Sequence, residues 1–212
     1  MSISEKEILR YLGVHNTTTD ERIIHIIREI VLELEKRITP KSAYGIWDCR
    51  VDQDLVTLND LAIHSSSLAK HLNECRYAAL MAATLGVEAD HLIRSYSVRD
   101  MEKAVVAQAV CTVMIEEYCD LTESEISMKT EDGIWYASGR FSPGYGDFDM
   151  AYQKDILRLL NGKRRIGLSL TDGNMLTPSK SVTAITGLSK EKKCHREKCE
   201  KCQNQKCTFK KE

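Results

Sequence analysis

The chain has 212 residues, of which 42% are hydrophobic and 29% charged, and its formal net charge is −1. This composition is typical of a globular domain, and the small net charge argues against generic nucleic-acid binding. Because the sequence has no apolar stretch long enough to span a bilayer and its amino terminus lacks a signal-peptide pattern, we expect a cytoplasmic protein without membrane contact.

Hydrophobic periodicity, capping residues and turn residues predict the following elements in chain order. Helices are expected over residues 4–12, 21–36, 64–73, 88–96, 98–119 and 152–160. Strands are expected over residues 43–49, 55–58, 77–86, 166–170 and 181–188. The small residues of 77–86 fit either a strand or a helix, and the closing Gly86 favours the strand. Strands of antiparallel pattern interspersed with helices indicate an α+β fold.

Charge is divided unevenly along the chain. From Lys190 to Glu212, nine Lys or Arg residues stand against four Glu, so the tail is near +5 and the preceding body near −6. The sequence therefore predicts one domain over residues 1–189 and a separate basic, Cys-rich tail over residues 190–212.

Four of the eight cysteines crowd into this tail with the spacing C-x4-C-x2-C-x4-C. They are Cys194, Cys199, Cys202 and Cys207. Four thiols in a segment with few core-forming residues predict a metal site, which either zinc or an iron-sulfur cluster would satisfy. A disordered, reactive tail is the alternative. The four cysteines of the body are expected to be reduced and mostly buried.

The segment from Gly139 to Gly146 has the composition of a loop that approaches a ligand closely. Three glycines tolerate positive φ, and one proline fixes a dihedral angle between them. Arg140 offers a rigid, charged fork for a carboxylate or phosphate, and Tyr145 offers an apolar ring with a hydroxyl group. A structural turn whose tyrosine packs on the core explains the composition equally well.

The order of the carboxy-terminal segments resembles the activation domain of cobalamin-dependent methionine synthase. The resemblance is strongest over residues 137–188. It is carried by Ala-Ser-Gly-Arg140-Phe-Ser-Pro-Gly-Tyr145 with its Arg-x-x-x-Gly-Tyr motif, by the helix from Tyr152, and by the Leu-Thr-x6-Pro segment that ends at Pro178. The chain resembles a free-standing version of that domain, which implies a twisted antiparallel sheet with packed helices.

The resemblance implies that the domain binds S-adenosylmethionine. In that role Arg140 matches the motif arginine and would bind the carboxylate of the methyl donor, while Tyr145 would face a corrinoid. Phe141 and Gly144 would contribute through backbone geometry. The resemblance implies no catalytic residue in this chain, because the chemistry belongs mainly to cobalt and the sulfonium.

The implied function is to reactivate oxidised cobalamin carried by a separate methionine synthase, or by another corrinoid protein. An electron would come from a flavodoxin-like or ferredoxin-like donor, and an iron-sulfur cluster in the tail would relay it, whereas zinc would only order the tail. A different hypothesis is a non-catalytic adaptor that clamps a corrinoid protein in one conformation.

The chain departs from the family pattern in two respects, and each departure leads to a further prediction. The family motif usually continues with Pro-x-Cys-Pro, whereas this chain has Gly146-Asp147-Phe148-Asp149, which predicts a more mobile loop. The family places acidic groups near the domain start and on the long helix. Here Arg10-Tyr11 stands at the start, and Glu116 and Glu117 on the helix are expected on a solvated face. The histidines are expected to have structural or solvated roles.

Overall fold

A six-stranded antiparallel sheet organises the fold in the computed structural model, which describes residues 3–14, 20–128, 133 and 135–190. The helices are α1 Glu5–Tyr11, α2 Glu21–Arg37, α3 Ser66–Leu72, α4 Val87–Arg99, α5 Met101–Met128, α6 Gln153–Leu160 and α7 Gly162–Ile166, with a short 3-10 helix over Met150–Tyr152. The strands are β1 Lys41–Asp52, β2 Leu55–Leu58, β3 Leu61–His64, β4 Tyr77–Thr84, β5 Tyr136–Phe141, β6 Ser169–Leu170, β7 Leu176–Thr177 and β8 Ser181–Ser189. This arrangement confirms the predicted α+β class.

The main sheet has the order β3-β2-β1-β4-β8-β5, and β6 pairs with β7 in a separate two-stranded ladder. Helices cover both faces. One hydrophobic core lies under α1, α2, α4 and α5, and the other lies under α3, α6 and α7. In β4, Met81 belongs to the first core and Leu80 to the second. A strand buried on both faces shows no polar alternation, which is why residues 77–86 were ambiguous in sequence.

Most predicted elements are confirmed within a few residues, and the exceptions are informative. The expected strand over residues 166–170 is wrong, because Ile166 ends α7 and only Ser169–Leu170 pairs. Strand β3 was not predicted. It follows β2 directly through a short turn at Asn59 and Asp60, in which Asn59 has a φ of 54°. Helix α5 continues to Met128, well past its expected end.

The sequence pattern also does not predict strand β5, because its second half, from Gly139 to Phe141, has the composition of a loop. Arg140 and Phe141 are the last two residues of this edge strand, which pairs with β8. The pairing register shifts between Ala137 and Arg140, and Gly139 there has a φ of 86°. This combination is a β-bulge, in which an extra residue bends the strand.

Among the described residues, no helix has the length and apolarity needed to cross a bilayer. The predicted tail over 190–212 and its four cysteines lie outside the described residues, apart from Lys190.

Gly187 of β8 lies in close contact with side chains of neighbouring elements. A Cβ atom placed there would lie 2.5 Å from Cys75 Sγ and 2.8 Å from Ser138 Oγ. We predict that Gly187→Ala lowers the free energy of unfolding by about 1–3 kcal/mol, measured by urea denaturation, because the core must shift to accept the methyl group. Gly173→Ala is the control, since the nearest atom to its Cβ is 4.0 Å away. Equal stability of the two variants would contradict this packing argument.

Candidate ligand-binding site

Arg140 points from the end of β5 towards α5, where three carboxylates bind its guanidinium group. Its Nη2 donates to Glu116 Oε2 at 2.8 Å, and its Nη1 donates to Glu123 Oε2 at 2.9 Å and to Asp120 Oδ1. Positions 116, 120 and 123 are four and three residues apart, so they share one face of the helix. We call these four residues the Arg140 cluster. The arginine side chain is only 17% exposed.

The cluster carries excess negative charge around a fixed cation. Burial alone would lower the pKa of Arg140, but the hydrogen bond and charge of Asp120, together with the charge of Glu123, raise that pKa above its ordinary value. The guanidinium therefore stays charged, and three carboxylates surround one positive group. Such a site favours a ligand that presents positive charge next to a carboxylate.

Glu116 is 46% exposed, as a partly solvated helix face requires, and it pairs with Arg140, which the sequence pattern did not predict. Asp120 and Glu123 were missed because the expected helix stopped at residue 119. The signal was present, since the buried residues Cys119, Thr122 and Ile126 continue the helical stripe past that point. Extending the expected helix to Ile126 on this pattern places all three carboxylates on one face.

Tyr11 connects α1 to the same region. Burial raises the pKa of its hydroxyl, and the charge of Glu116 and the nearby Tyr145 act in the same direction. Arg10 is 2.6 Å from Glu7 and lies over the Tyr11 ring at 5.0 Å. The start of the domain therefore contributes a tyrosine within electrostatic reach of the Arg140 cluster, where the family pattern led us to expect an acidic group.

The loop after β5 presents Tyr145. This side chain is 58% exposed, and its ring meets Phe141 edge-on with centroids 5.8 Å apart. Gly144, at φ 96°, donates its N–H to the carbonyl of Phe148 at 2.7 Å and closes the turn. Phe148 is fully buried in the second core. The loop is thus a tight turn that exposes one aromatic ring and anchors another.

Asp147 fastens this loop to the beginning of α3. Its carboxylate accepts from the hydroxyl groups of Ser65 and Ser66 at 2.6 and 2.7 Å, and from the backbone N–H groups of Ser66 and Ser67 at 2.8 and 2.9 Å. These donors hold the pKa of Asp147 well below its ordinary value. The residues that replace Pro-x-Cys-Pro thus supply four hydrogen bonds and a buried ring, which favour an anchored loop over the more mobile loop expected from the sequence.

The four predicted binding residues thus occupy different surroundings. Arg140 faces α5 and Tyr145 is exposed, whereas Phe141 packs into the second core. Gly144 supplies the turn, where a Cβ atom would lie 3.0 Å from Met150 Sδ. The structure therefore brings Arg140 together with carboxylates of α5 and separates its side chain from that of Phe141, its neighbour in sequence.

Among the described residues, the cysteines of the body lie in or beside the two cores, whereas His25, His64 and His91 are exposed. Cys75, Cys111 and Cys119 are buried free thiols and Cys49 is half-buried. Burial raises the pKa of Cys119, beside the cluster, to about 12, so this thiol is protonated at neutral pH and is a poor nucleophile. Within the described ranges, no group of three or more His, Cys, Asp or Glu side chains is placed to hold a metal ion.

Comparison with known proteins identifies the family. Residues 52–211 match the family model of the vitamin B12 dependent methionine synthase activation domain. This chain belongs to that family. The match covers the Arg140 cluster, the Tyr145 loop and the four cysteines of the tail, and it begins within β1. No curated protein sequence matches the chain.

Among solved structures, a crystal structure of the MetH reactivation domain bound to AdoHcy has a similar fold. The TM-score is 0.65 and the sequence identity is 15%, with 85% of this chain and 70% of that chain covered. At this identity the likeness concerns the fold, which agrees with the activation-domain family that the sequence resemblance indicated.

The Asp147 anchor gives a test by pH. Because the pKa of Asp147 is lowered in the folded state, the carboxylate stabilises the fold above its unfolded pKa of about 3.9, and this contribution is lost as the pH falls below that value. We predict that Asp147→Asn lowers Tm at pH 7 and that its difference from wild type shrinks below about pH 4. Asp172→Asn, an exposed carboxylate of the β6–β7 turn, is the control. A difference that is constant with pH would show that the charge is not what anchors the loop.

Proposed function

We propose that this protein binds S-adenosylmethionine at the Arg140 cluster and supports reductive methylation of oxidised cob(II)alamin on a separate cobalamin-dependent methionine synthase. The observation that carries the proposal is the cluster itself, one guanidinium among three carboxylates of α5, followed directly by the exposed Tyr145 loop. Membership of the activation-domain family supports it. The similar fold was solved with AdoHcy, which is the product left when S-adenosylmethionine gives up its methyl group.

The charges of the cluster suit the amino-acid end of this donor. Asp120 is 65% exposed, whereas Glu123 is 15% exposed, so Asp120 is the carboxylate most easily exchanged. A zwitterion can replace Asp120 on Arg140 with its own carboxylate while its ammonium group meets the released aspartate. The ion pairs are exchanged without a change in the number of paired charges. The sulfonium adds a further positive charge, which the excess of carboxylates favours.

The Tyr145 loop provides contacts for a ligand or partner on the side away from the Arg140 cluster. Tyr145 is exposed while Phe141 and Phe148 fix the backbone beneath it, with Phe141 and Phe148 ring centroids 6.3 Å apart. An aromatic ring supported in this way is a rigid apolar contact for the face of a corrinoid. We therefore assign the contact with the corrinoid to Tyr145. Gly144 would allow the backbone of the loop to approach the ligand closely.

The work of this chain is positioning. When bound, S-adenosylmethionine supplies a methyl group, and the partner's reduced corrinoid accepts it after one electron arrives from a flavodoxin-like or ferredoxin-like donor. Arg140 holds the donor by its carboxylate, and α5 balances its positive charge. Holding two reactants in the correct geometry can lower a reaction barrier by a large fraction, even without a catalytic side chain.

The tail is proposed as a separate metal-binding unit over residues 190–212. Its support is the spacing of Cys194, Cys199, Cys202 and Cys207 in the sequence. A cluster that takes up and releases one electron would make the tail a relay, and zinc would make it a structural or docking element.

Arg140 variants test the binding site. We predict that Arg140→Ala weakens S-adenosylmethionine binding by about ten- to a hundredfold in calorimetry, because hydrogen bonds to charged groups contribute about 1.5–3 kcal/mol. Arg140→Lys keeps the positive charge but loses the planar guanidinium fork, so we expect an intermediate loss of affinity. Because it keeps the charge, this variant provides a folded comparison if Arg140→Ala is unstable. Arg158→Ala, which removes an exposed ion pair with Asp60, is the control. Unchanged affinity in Arg140→Ala would refute the assignment of this site.

Reactivation itself is measured as methylcobalamin formation from cob(II)alamin-loaded methionine synthase with S-adenosylmethionine and a reductant. We expect formation to require this protein and to fall strongly with Arg140→Ala. Formation that does not depend on the protein would contradict the proposal. Formation that depends on the protein but not on Arg140 would indicate an adaptor that clamps the corrinoid protein without binding the donor.

Anaerobic purification followed by metal analysis and a visible spectrum tests the tail. Bound iron with a visible absorption band that is lost in Cys199→Ser and Cys202→Ser is expected for an electron relay. Colourless protein that contains zinc would rule out the relay and leave a structural site. Protein without metal would contradict the metal site altogether.

A further inference from the structure

The orientation of Arg140 depends on the β-bulge of β5. Ala137 pairs with Leu188 and Arg140 pairs with Thr186, so Ser138 and Gly139 together face the single residue Gly187. Ala137 packs against the core under α5, and Arg140 also faces α5. Two residues three positions apart share a face of a strand only where an extra residue is inserted.

Without the bulge, the alternation of side chains would turn Arg140 to the opposite face. A one-residue change of register exchanges the two faces of a strand. The guanidinium would then lie on the side of α3 and α6, away from Glu116, Asp120 and Glu123. The extra residue is therefore what brings the cation to its carboxylates.

His71 of α3 contacts the bulge directly. Its Nε2 is 3.0 Å from the carbonyl oxygen of Gly139 and 3.3 Å from Ser138 Oγ. Because a carbonyl oxygen only accepts, Nε2 carries the proton and donates it. Ser138 Oγ in turn accepts from the N–H of Gly187 at 3.0 Å. The histidine ring also packs on Phe141, with centroids 5.1 Å apart.

We propose that His71 is a positioning residue of the Arg140 cluster, because its hydrogen bond to Gly139 holds the bulge that turns the guanidinium towards α5. His71 is bonded to the bulge and reaches Arg140 through the backbone. Only the ligand-binding measurement of this proposal rests on the proposed function. The orientation of Arg140 is a property of the protein without ligand and is measured separately.

The test measures Arg140 directly in the unliganded full chain. The Nε–H resonance of Arg140, identified by its loss in Arg140→Lys, reports the ion pairs of the guanidinium by 1H-15N NMR. We expect His71→Leu to shift or broaden this resonance, because the Nε2 donor is lost. We expect His71→Gln to restore it, since the glutamine amide nitrogen donates from a similar position.

Two controls separate positioning from general loss of stability. His64→Leu replaces a histidine of the same region whose side chain is 67% exposed. Leu160→Ala removes a buried side chain from the same core as the histidine ring contact and lowers stability without touching the bulge. Neither control is expected to move the Arg140 resonance.

Calorimetry provides the second arm of the experiment. We expect His71→Leu to weaken S-adenosylmethionine binding by about tenfold and His71→Gln by less than about threefold, in line with one hydrogen bond lost or kept. If wild type does not bind this ligand but His71→Leu moves the Arg140 resonance, the proposed function is wrong and the positioning role stands.

An unchanged Arg140 resonance in folded His71→Leu overturns the positioning role, whatever the affinity for ligand. Should His71→Leu fail to fold, His71→Phe replaces it in the same measurement, because it keeps a ring beside Phe141 and lacks the Nε2 donor to Gly139. An unchanged resonance in that variant overturns the proposal in the same way.

Discussion

The ion pairs between Arg140 and α5 join the edge of the sheet to the longest helix of the fold. An edge strand is hydrogen-bonded to the sheet on one side only, and here Glu116, Asp120 and Glu123 add ion pairs from α5. A partly buried guanidinium with three acceptors is strongly held, because removing it would leave carboxylates without a counter-charge. The cluster is therefore a structural junction as well as the proposed binding site, so a ligand that exchanged ion pairs there would act on the packing of β5 on α5.

The two faces of β5 contribute different parts of the candidate site. Arg140 faces the core of α1, α2, α4 and α5, whereas Phe141 and the Tyr145 loop are supported by the core of α3 and α6. In the proposed function, charge recognition and aromatic contact would thus come from neighbouring residues that pack against different cores. A substitution in one core can disturb one property and leave the other intact.

The sequence predicts the class of fold, the long helices and the central strands, because these rest on periodicity over many residues. A short motif predicts Arg140 and Tyr145 as binding residues, and the structure places Arg140 against α5 and Tyr145 on an exposed loop. The sequence misses β5, because a bulged edge strand with glycine at the bulge has the composition of a loop. It also misses Asp120, Glu123 and Asp147, since their importance comes from partners far along the chain, such as Asp147 with Ser65 some eighty residues away. Long-range pairing of this kind is fixed by topology, which local pattern does not determine.

Helix α3 holds the chain at two points, at Gly139 through His71 and at Asp147 through Ser65–Ser67. The residues between these points form a closed span whose ends belong to one short rigid element. The distance between its ends is therefore fixed even where its side chains are free to differ. A deletion in this span would strain one attachment or the other, so the two attachments to α3 limit how far apart Arg140 and Tyr145 can lie.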